Sequence, residues 1–470
     1  MLFNSFQFIV FFPLVCVLYY TIPRKFTKLF LLIMSYLLYM NWIPIYALLL
    51  LYVTMVTYLG ALNIYTLNND KQKKQRVIII ALLTIIPLLL FKYYNFINNN
   101  IITLLSIFHL RIELPGLNWA IPVGISFFTF QAYGYLMEVY YKKIEPEFNL
   151  LNYMLFVSFF PQIASGPISK GESLLPQIKA GRIFNSEKVV EGMKFILWGM
   201  FMKVVLADRI AIYANTVLDN YEYQSGISCF VASICYTIQI YGDFAGYSLL
   251  AVGTGKVMGF DLVNNFNRPY FATSITEFWR RWHISLTQWL TAYIYIPLGG
   301  NRCSKLRCYT NIFVTFLISG LWHGANWTFI FWGWLHGLFQ IIEKHIGLNS
   351  IPTNIWQRFF RIFLTFIIVN FAWIAFRMPT IADAFAIYSK IFTDFKGTLF
   401  IPGDKTTIIF ILFALSLLIF KETTDEYYPK SFKIMNSTNT IIRWCGYLSM
   451  VVIILLLGVF DAGQFIYVSF

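Results

Sequence analysis

Long apolar runs, interrupted by short basic or polar segments, follow one another along the chain. The first, Met1 to Pro23, contains no charge and no basic residue precedes it, so it predicts a retained membrane helix and not a cleaved signal peptide. Residues 29–69 are also uncharged. At about 1.5 Å per residue they are long enough for two crossings of a bilayer core about 30 Å thick. We place the turn between them at Asn41–Pro44.

Further apolar runs continue the pattern to the end of the chain. They cover about 77–91, 97–110, 119–140, 150–168, 191–213, 226–260, 310–342, 362–376, 406–420 and 442–460. Allowing roughly 20 residues for each crossing, the pattern predicts an all-α polytopic membrane protein with about ten to thirteen membrane helices.

Basic segments indicate the orientation. Arg24–Lys28 and Asp70–Arg76, which we predict to be loops, are separated by two crossings and therefore lie on one side of the membrane. Positively charged loops are typical of the cytoplasmic side. We therefore expect an extracytoplasmic N-terminus.

The composition supports this interpretation and excludes others. Hydrophobic residues make up 58% of the 470 residues and charged residues 12%, too few charges for a set of soluble domains. The net charge is +14, but the sequence predicts no soluble domain on which these cations could form a nucleic-acid-binding surface. We therefore expect no nucleic acid partner. We do expect contact with membrane lipids. Of six cysteines only Cys303 and Cys308 are close together. Two ligands do not make a zinc site, so the sequence predicts free thiols and no metal.

Ser274 to Tyr295 has helical periodicity but mixes aromatic with basic residues, which predicts one amphipathic helix near the cytoplasmic interface. Arg280 and Arg281, flanked by tryptophans, are suited to hold an anionic group, and a lipid-headgroup anchor is the alternative. Arg302 extends this basic rim.

Ionisable residues within apolar segments are costly and therefore candidates for function. His323 lies near the middle of the uncharged stretch from Tyr309 to Ile342, and a neutral imidazole there can act as a base. We expect Asn326 to share its helical face, three residues further on. A structural histidine bonded to another helix is the alternative for His323. His336, predicted on another face of the same helix, is assigned a structural role.

Asp243 is the only charged residue between Glu222 and Lys256, so it needs a partner. Arg268 and Lys203 are the candidates, and both a proton relay and a structural ion pair stay open. Spacing alone leaves an enzyme and a transporter as alternatives.

A set of motifs in the same order resembles the membrane-bound O-acyltransferase family, in its bacterial branch that O-acetylates alginate and peptidoglycan. The motifs are Gly124-Ile-Ser-Phe-Phe-Thr-Phe-Gln131, Phe156-Val-Ser-Phe-Phe-Pro-Gln162, Ser165-Gly-Pro167, Asp243-Phe-Ala-Gly-Tyr-Ser248, Asn265-Phe-Asn-Arg-Pro-Tyr270, Glu277-Phe-Trp-Arg-Arg-Trp-His-Ile-Ser-Leu286, Tyr295-Ile-Pro-Leu-Gly-Gly-Asn-Arg302, Gly320-Leu-Trp-His-Gly-Ala-Asn-Trp327 and Phe465-Ile-Tyr-Val-Ser-Phe470. Because they extend over most of the chain, chance similarity is a poor explanation.

The resemblance implies a single transmembrane domain, 1–470, forming a helical ring around a tunnel. Its N-terminal helices would be 1–118, its catalytic core 119–345 and its C-terminal helices 346–470. It implies a bacterial inner-membrane enzyme that passes acetyl from cytoplasmic acetyl-CoA to an extracytoplasmic polysaccharide, with a periplasmic SGNH-type acetyltransferase as partner and no bound cofactor. By the resemblance His323 is the essential histidine and His283 occupies the family's second histidine position.

Residue roles follow as expectations. His323 would act as general base, oriented by Asn326 or Trp322. Arg280, Arg281 and Arg302 would form a cationic mouth for the CoA thioester. Asp243 completes the predicted substrate-binding set. The alternatives are D-alanyl transfer from a carrier protein to teichoic acid, and a proton-coupled transporter.

Overall fold

The computed structural model describes residues 3–110, 115–164, 166–348, 352–429 and 433–460. Within those residues the chain forms twenty α-helices and no β-strand. The first ten are α1 Phe6–Thr21, α2 Thr27–Met40, α3 Ala47–Thr66, α4 Asp70–Leu88, α5 Tyr94–Ile107, α6 Ile125–Tyr140, α7 Leu150–Ser158, α8 Phe160–Ile163, α9 Gly171–Ala180 and α10 Ser186–Met200. The others are α11 Asp208–Leu218, α12 Gly226–Val257, α13 Ile275–Arg281, α14 Ile284–Leu290, α15 Lys305–His323, α16 Trp327–Ile346, α17 Ile355–Arg377, α18 Ile381–Thr393, α19 Lys405–Tyr427 and α20 Thr440–Leu457.

Two of the sequence motifs extend beyond this part of the chain. Ser165 of the Ser165-Gly-Pro167 motif and all of Phe465–Phe470 lie outside the described residues.

The multi-pass membrane character predicted from the apolar runs is confirmed. Six helical segments among the described residues are long and apolar enough to cross a bilayer. They are Pro44–Thr66, Asp70–Ile107, Gly226–Val257, Ile355–Arg377, Lys405–Tyr427 and Thr440–Leu457. Phe6–Thr21 and Leu150–Ile163 are apolar but shorter. The sequence predicted ten to thirteen membrane helices, and some of the other apolar runs are divided between shorter helices among the described residues.

Helix α20 buries little of its surface inside the protein. Only 11% of its apolar window is buried inside the protein. Exposed Ile441, Leu448 and Leu455 therefore present apolar surface along its length. In a membrane this surface meets lipid tails at no cost, whereas in water it would favour aggregation.

The chain divides into two compact units. The first contains Met1–Gly192, Ala251–Val263 and Gly324–Asn326, and the second contains Met193–Leu250, Asn264–His323 and Trp327–Phe470.

In the first unit the predicted turn at Asn41–Pro44 is confirmed. Helix α2 ends at Met40, and a 3₁₀ turn beginning at Pro44 leads into α3. Proline suits this position because a first-turn residue needs no helical N–H donor. The predicted loop at Asp70–Arg76, in contrast, is wrong. Asn69 Oδ1 accepts hydrogen bonds from the Lys71 and Gln72 amides, and this cap starts α4 at Asp70.

The second unit contains both motif histidines, His283 and His323, and the helix around each differs from the predicted one. The single helix expected over Ser274–Tyr295 is wrong, because α13 ends at Arg281 and α14 begins at Ile284. His283 has φ 42° and ψ 55°, in the left-handed region, where a right-handed helix cannot continue. The next segment, Thr291–Tyr295, is a π-helical turn.

The uncharged stretch from Tyr309 to Ile342 is also two helices and not one, so His336 is not in the same helix as His323. Helix α15 ends at His323 and α16 begins at Trp327. The two helices pack as an antiparallel pair in which Gly320 and Gly333 meet. A Cβ on Gly320 would lie 2.2 Å from the Phe329 carbonyl oxygen, so only glycine permits this approach.

Candidate active site

His323 is the last residue of α15 and is buried, with 3% of its surface exposed. Its ring lies among three aromatic rings, with centroid distances of 4.9 Å to Trp322, 5.0 Å to Trp332 and 5.2 Å to Phe376. Burial among these rings gives the imidazole a water-poor setting at the C-terminal end of α15.

Asn326 does not share a helical face with His323, so that expectation is wrong. Helix α15 ends before it, and Asn326 lies in the connection Gly324–Asn326 that leads into α16. The uncharged sequence did not indicate this turn, because the chain reverses there through small residues and not through charged ones.

His283 is fully buried, and its left-handed backbone is held by two hydrogen bonds. The Ile284 amide donates to the Asn265 carbonyl at 2.9 Å, and the Ser285 amide donates to Asn265 Oδ1 at 3.2 Å. A non-glycine residue in this conformation costs about 1–2 kcal/mol, so the surrounding bonds must hold it. The segment lies outside the six candidate spans. Burial lowers the pKa of His283 to about 3, so its ring is neutral at physiological pH.

Trp322 connects the two motif histidines. Its ring centroid lies 4.9 Å from that of His323 and 5.8 Å from that of His283. Phe244 covers the His283 ring at 4.7 Å. The structure thus brings three of the residues singled out from sequence into one aromatic cluster.

His336 lies in the same aromatic surroundings but is held by a tryptophan. Trp279 Nε1 donates a hydrogen bond to His336 Nδ1 at 3.3 Å, and the Trp332 ring lies 4.9 Å away. None of the surface of His336 is exposed. These contacts fit the structural role assigned to it from sequence.

The three arginines differ in their surroundings. Arg281 is held between carboxylates, at 2.6 Å from Glu277 and 2.9 Å from Glu426, so its charge is already compensated. Arg280 and Arg302 are exposed. Of the three, Arg280 is the one that lines the cavity described below.

Asp243 is paired with Lys203, the second of the two candidate cations, at 2.6 Å. Asp208 is 2.7 Å from the same ammonium group, and all three groups are buried. Arg268, the other candidate, pairs with Glu426 at 2.7 Å. One buried cation shared by two carboxylates is a tightly constrained ion cluster.

A cavity of about 840 Å³ lies along one face of α15. Helix α15 contributes Lys305, Cys308, Tyr309, Ile312, Thr315, Phe316 and Ser319, which recur at helical spacing on one face. The remaining lining residues are Thr276, Trp279, Arg280, Thr287, Leu290, Thr291, Tyr295, Asn301, Cys303, Gln340, Lys344 and His345. The volume is that of an ordinary small-molecule site.

The two ends of this cavity differ in polarity. Lys305 and Lys344 lie where α15 begins, next to the loop that contains Arg302. At the other end are the aromatic and apolar side chains of Phe316 and Trp279, and Ser319 stands one helical turn before His323. The arrangement suits an elongated ligand with an anionic head and an uncharged tail.

Cys308 forms a polar cluster at the cationic end that sequence reasoning missed. Its Sγ lies 2.9 Å from Lys344 Nζ, which also donates to Asn301 Oδ1 at 2.9 Å. Tyr295 Oη lies 3.3 Å from the sulfur. Burial acts to raise the pKa of the Cys308 thiol, but the hydrogen bonds from Lys344 and Tyr295 and the charge of Lys344 outweigh it and lower the pKa. Only the spacing to Cys303 drew attention to it in the sequence.

No group of three or more His, Cys, Asp or Glu side chains that could hold a metal ion occurs among the described residues.

Comparison with known proteins connects this site to a reaction class. The family model of the membrane-bound O-acyltransferases matches residues 45–382, which include the aromatic cluster and the cavity. The probable alginate O-acetylase AlgI of Pseudomonas aeruginosa is 36% identical to this chain over 84% of this chain and 75% of its own length.

The names of two other relatives state different acceptors. The peptidoglycan O-acetyltransferase of Helicobacter pylori is 34% identical, over 77% of this chain and 73% of its own. The teichoic acid D-alanyltransferase of Bacillus subtilis is 28% identical, over 62% of this chain and 75% of its own.

Proposed function

Since the chain belongs to the membrane-bound O-acyltransferase family and is an O-acyltransferase, we propose that it moves acetyl from cytoplasmic acetyl-CoA to an extracytoplasmic polysaccharide, with His323 as general base. The proposal includes the bacterial inner membrane as its location and an extracytoplasmic N-terminus. It also includes an SGNH-type acetyltransferase as partner outside the membrane. Residues 1–470 act as one functional unit with 119–345 as its core.

One observation carries the proposal: the lining of the α15 cavity extends from a cationic end to Ser319, one helical turn before His323, and His323 itself does not line it. Lys305 and Lys344 suit the phosphates of CoA, because clustered cations attract a polyanion and hold it by charge-assisted hydrogen bonds, and Arg280 lines the same cavity. Arg302 adds to the field from the adjacent loop. The uncharged inner end suits the acyl-bearing arm.

The proposed acyl transfer requires a general base and a neighbouring group that holds this base in position. An acceptor hydroxyl attacks the thioester carbonyl, His323 takes the hydroxyl proton, and the CoA thiolate leaves and recovers a proton. Trp322 fixes the plane of the imidazole through ring contact at 4.9 Å. Asn326 follows His323 by three residues in the connecting loop.

His283 and Asp243 act on the geometry of the site. The neutral ring of His283 supports Trp322 at 5.8 Å and so helps to position His323. Asp243 with Lys203 fixes the helix whose next residue, Phe244, covers His283. Arg281, compensated by Glu277 and Glu426, holds α13 in place.

The donor is tested with the purified protein in detergent and radiolabelled acyl thioesters. Acetyl-CoA, an acetylated carrier protein and a D-alanyl carrier protein are compared for thioester cleavage in the presence of a soluble oligosaccharide acceptor. We expect cleavage with acetyl-CoA that is lost in His323→Asn and kept in His109→Asn, which exchanges an exposed histidine for a residue that tolerates the left-handed backbone at that position. Preference for the D-alanyl carrier would replace the acetyl assignment.

A further inference from the structure

Ser319 differs from the two threonines of the same helix. Thr310 Oγ1 and Thr315 Oγ1 donate to the carbonyl oxygens of Leu306 and Asn311, four residues earlier, at 3.1 and 2.7 Å. Ser319 Oγ, in contrast, has no hydrogen-bond partner in the described part of the chain. Only 2% of its residue surface is exposed.

A buried hydroxyl without a partner needs an explanation. Serine in a helix ordinarily bonds to the carbonyl of the preceding turn, and a buried polar group left without a hydrogen bond costs about 1–3 kcal/mol. Ser319 lines the α15 cavity. A ligand atom that accepts its hydrogen bond would remove this cost, so the hydroxyl marks a polar contact at the inner end of the cavity.

The position of Ser319 along α15 indicates which ligand atom this is. From Cys308 at the cationic end to Ser319 the helix rises about 16 Å, at 1.5 Å per residue. Between them the lining side chains Ile312 and Phe316 offer no charge. If phosphates occupy the end with Lys344, as in the function proposed above, the acyl end of the thioester reaches Ser319.

We propose that Ser319 donates a hydrogen bond to the carbonyl oxygen of the donor's acyl group. Residues four apart on a helix have Cβ atoms about 5–6 Å apart, so the same carbonyl lies within reach of chemistry at His323. Negative charge develops on that oxygen during attack, and a fixed donor then stabilises it more strongly than in the ground state. Ser319 keeps its proton and forms no covalent bond.

Binding without turnover tests this contact. The probes are a ketone analogue of acetyl-CoA, in which a methylene replaces the thioester sulfur, and the same molecule with the carbonyl reduced to a methylene. Wild type is expected to bind the ketone about threefold to tenfold more tightly, the equivalent of one neutral hydrogen bond. Ser319→Ala is expected to bind both analogues with the affinity that wild type has for the reduced one.

The outcomes separate this inference from the proposed function. A ketone preference retained in Ser319→Ala, or absent from wild type, overturns the Ser319 contact. Failure of wild type to bind either analogue overturns both proposals. In a third outcome, wild type prefers the ketone, Ser319→Ala loses that preference, and the protein transfers no acetyl group. That outcome supports the Ser319 contact and overturns only the proposed acetyl transfer.

Turnover provides the second readout. Ser319→Ala is expected to lower kcat about 100-fold and to raise the KM for acetyl-CoA less than tenfold. Thr310→Ala, which removes an exposed hydroxyl of the same helix outside the cavity, is the matched control and should change neither constant. Equal kcat in Ser319→Ala and wild type would contradict the proposal.

Discussion

The Trp322 ring contacts both motif histidines, with centroid distances of 4.9 Å to His323 and 5.8 Å to His283. In the proposed function these ring contacts help to orient both imidazoles, so removal of the Trp322 ring should disturb the site.

We predict that Trp322→Ala lowers acetyl transfer about 100-fold while donor binding changes little, since an imidazole misplaced by about 1 Å loses that much. Trp322→Phe keeps a ring and should retain most of the activity. Initial rates and equilibrium binding of CoA measure the two effects separately. A parallel loss of binding in Trp322→Ala would instead indicate that the cavity itself had collapsed.

We predict that the lowered pKa of the Cys308 thiol is detectable in its rate of alkylation. Because the pKa is lowered by Lys344 and Tyr295, thiolate persists to lower pH than in an ordinary cysteine, and alkylation by iodoacetamide should fall off only at lower pH. Lys344→Met removes the opposing charge, so the pKa should rise and the labelling rate at pH 7 should drop. Mass spectrometry of the labelled peptide identifies the site.

Lys305→Met, which removes another lysine at the same end of the cavity, is the control. CoA should protect Cys308 from the reagent, because both occupy the α15 cavity in this account. Labelling that CoA leaves unaffected would place the donor elsewhere.

At the scale of elements, the close packing of the antiparallel helices α15 and α16 determines the position of the site. Gly333 meets the Phe316 carbonyl as closely as Gly320 meets that of Phe329, since a Cβ on Gly333 would lie 2.4 Å from the oxygen. Backbone oxygens cannot move aside as a flexible side chain does. The two helices must separate if either glycine gains a methyl group.

We therefore expect Gly333→Ala to destabilise the protein by about 1–3 kcal/mol, the usual cost of overpacking, and to reduce acetyl transfer. Gly403→Ala has nothing within 4 Å of the added atom and serves as control. Thermal unfolding in detergent measures the stability difference. An unchanged midpoint for Gly333→Ala would contradict the close packing of the two helices.

The same elements show what sequence could and could not predict. Apolar runs and the proline at 44 predicted α2, α3 and the turn between them, because burial in a bilayer and proline geometry act locally. The break at His283 has no periodic signal, since its left-handed backbone is held by Asn265 from another segment. The role proposed for Ser319 has no signal in the sequence, because only its place in the cavity and its unbonded hydroxyl distinguish it from the other hydroxyls of α15.

At the scale of the whole molecule, charge asymmetry should determine orientation. If the basic first turns of α4 are cytoplasmic, an impermeant thiol reagent should label Lys73→Cys in inverted vesicles and not in intact spheroplasts. Mass spectrometry distinguishes the new site from the native cysteines. Labelling in spheroplasts would reverse the orientation and with it the side from which the donor enters.

Acetyl groups on envelope polysaccharides test the central claim most directly. Mild base releases ester-linked acetate, which is quantified in each glycan fraction from cells with wild type, His323→Asn or His109→Asn at equal membrane abundance. The account predicts that one fraction loses its acetate with His323→Asn and keeps it with His109→Asn. Equal acetate in every fraction from all three strains would contradict acetyl transfer by His323.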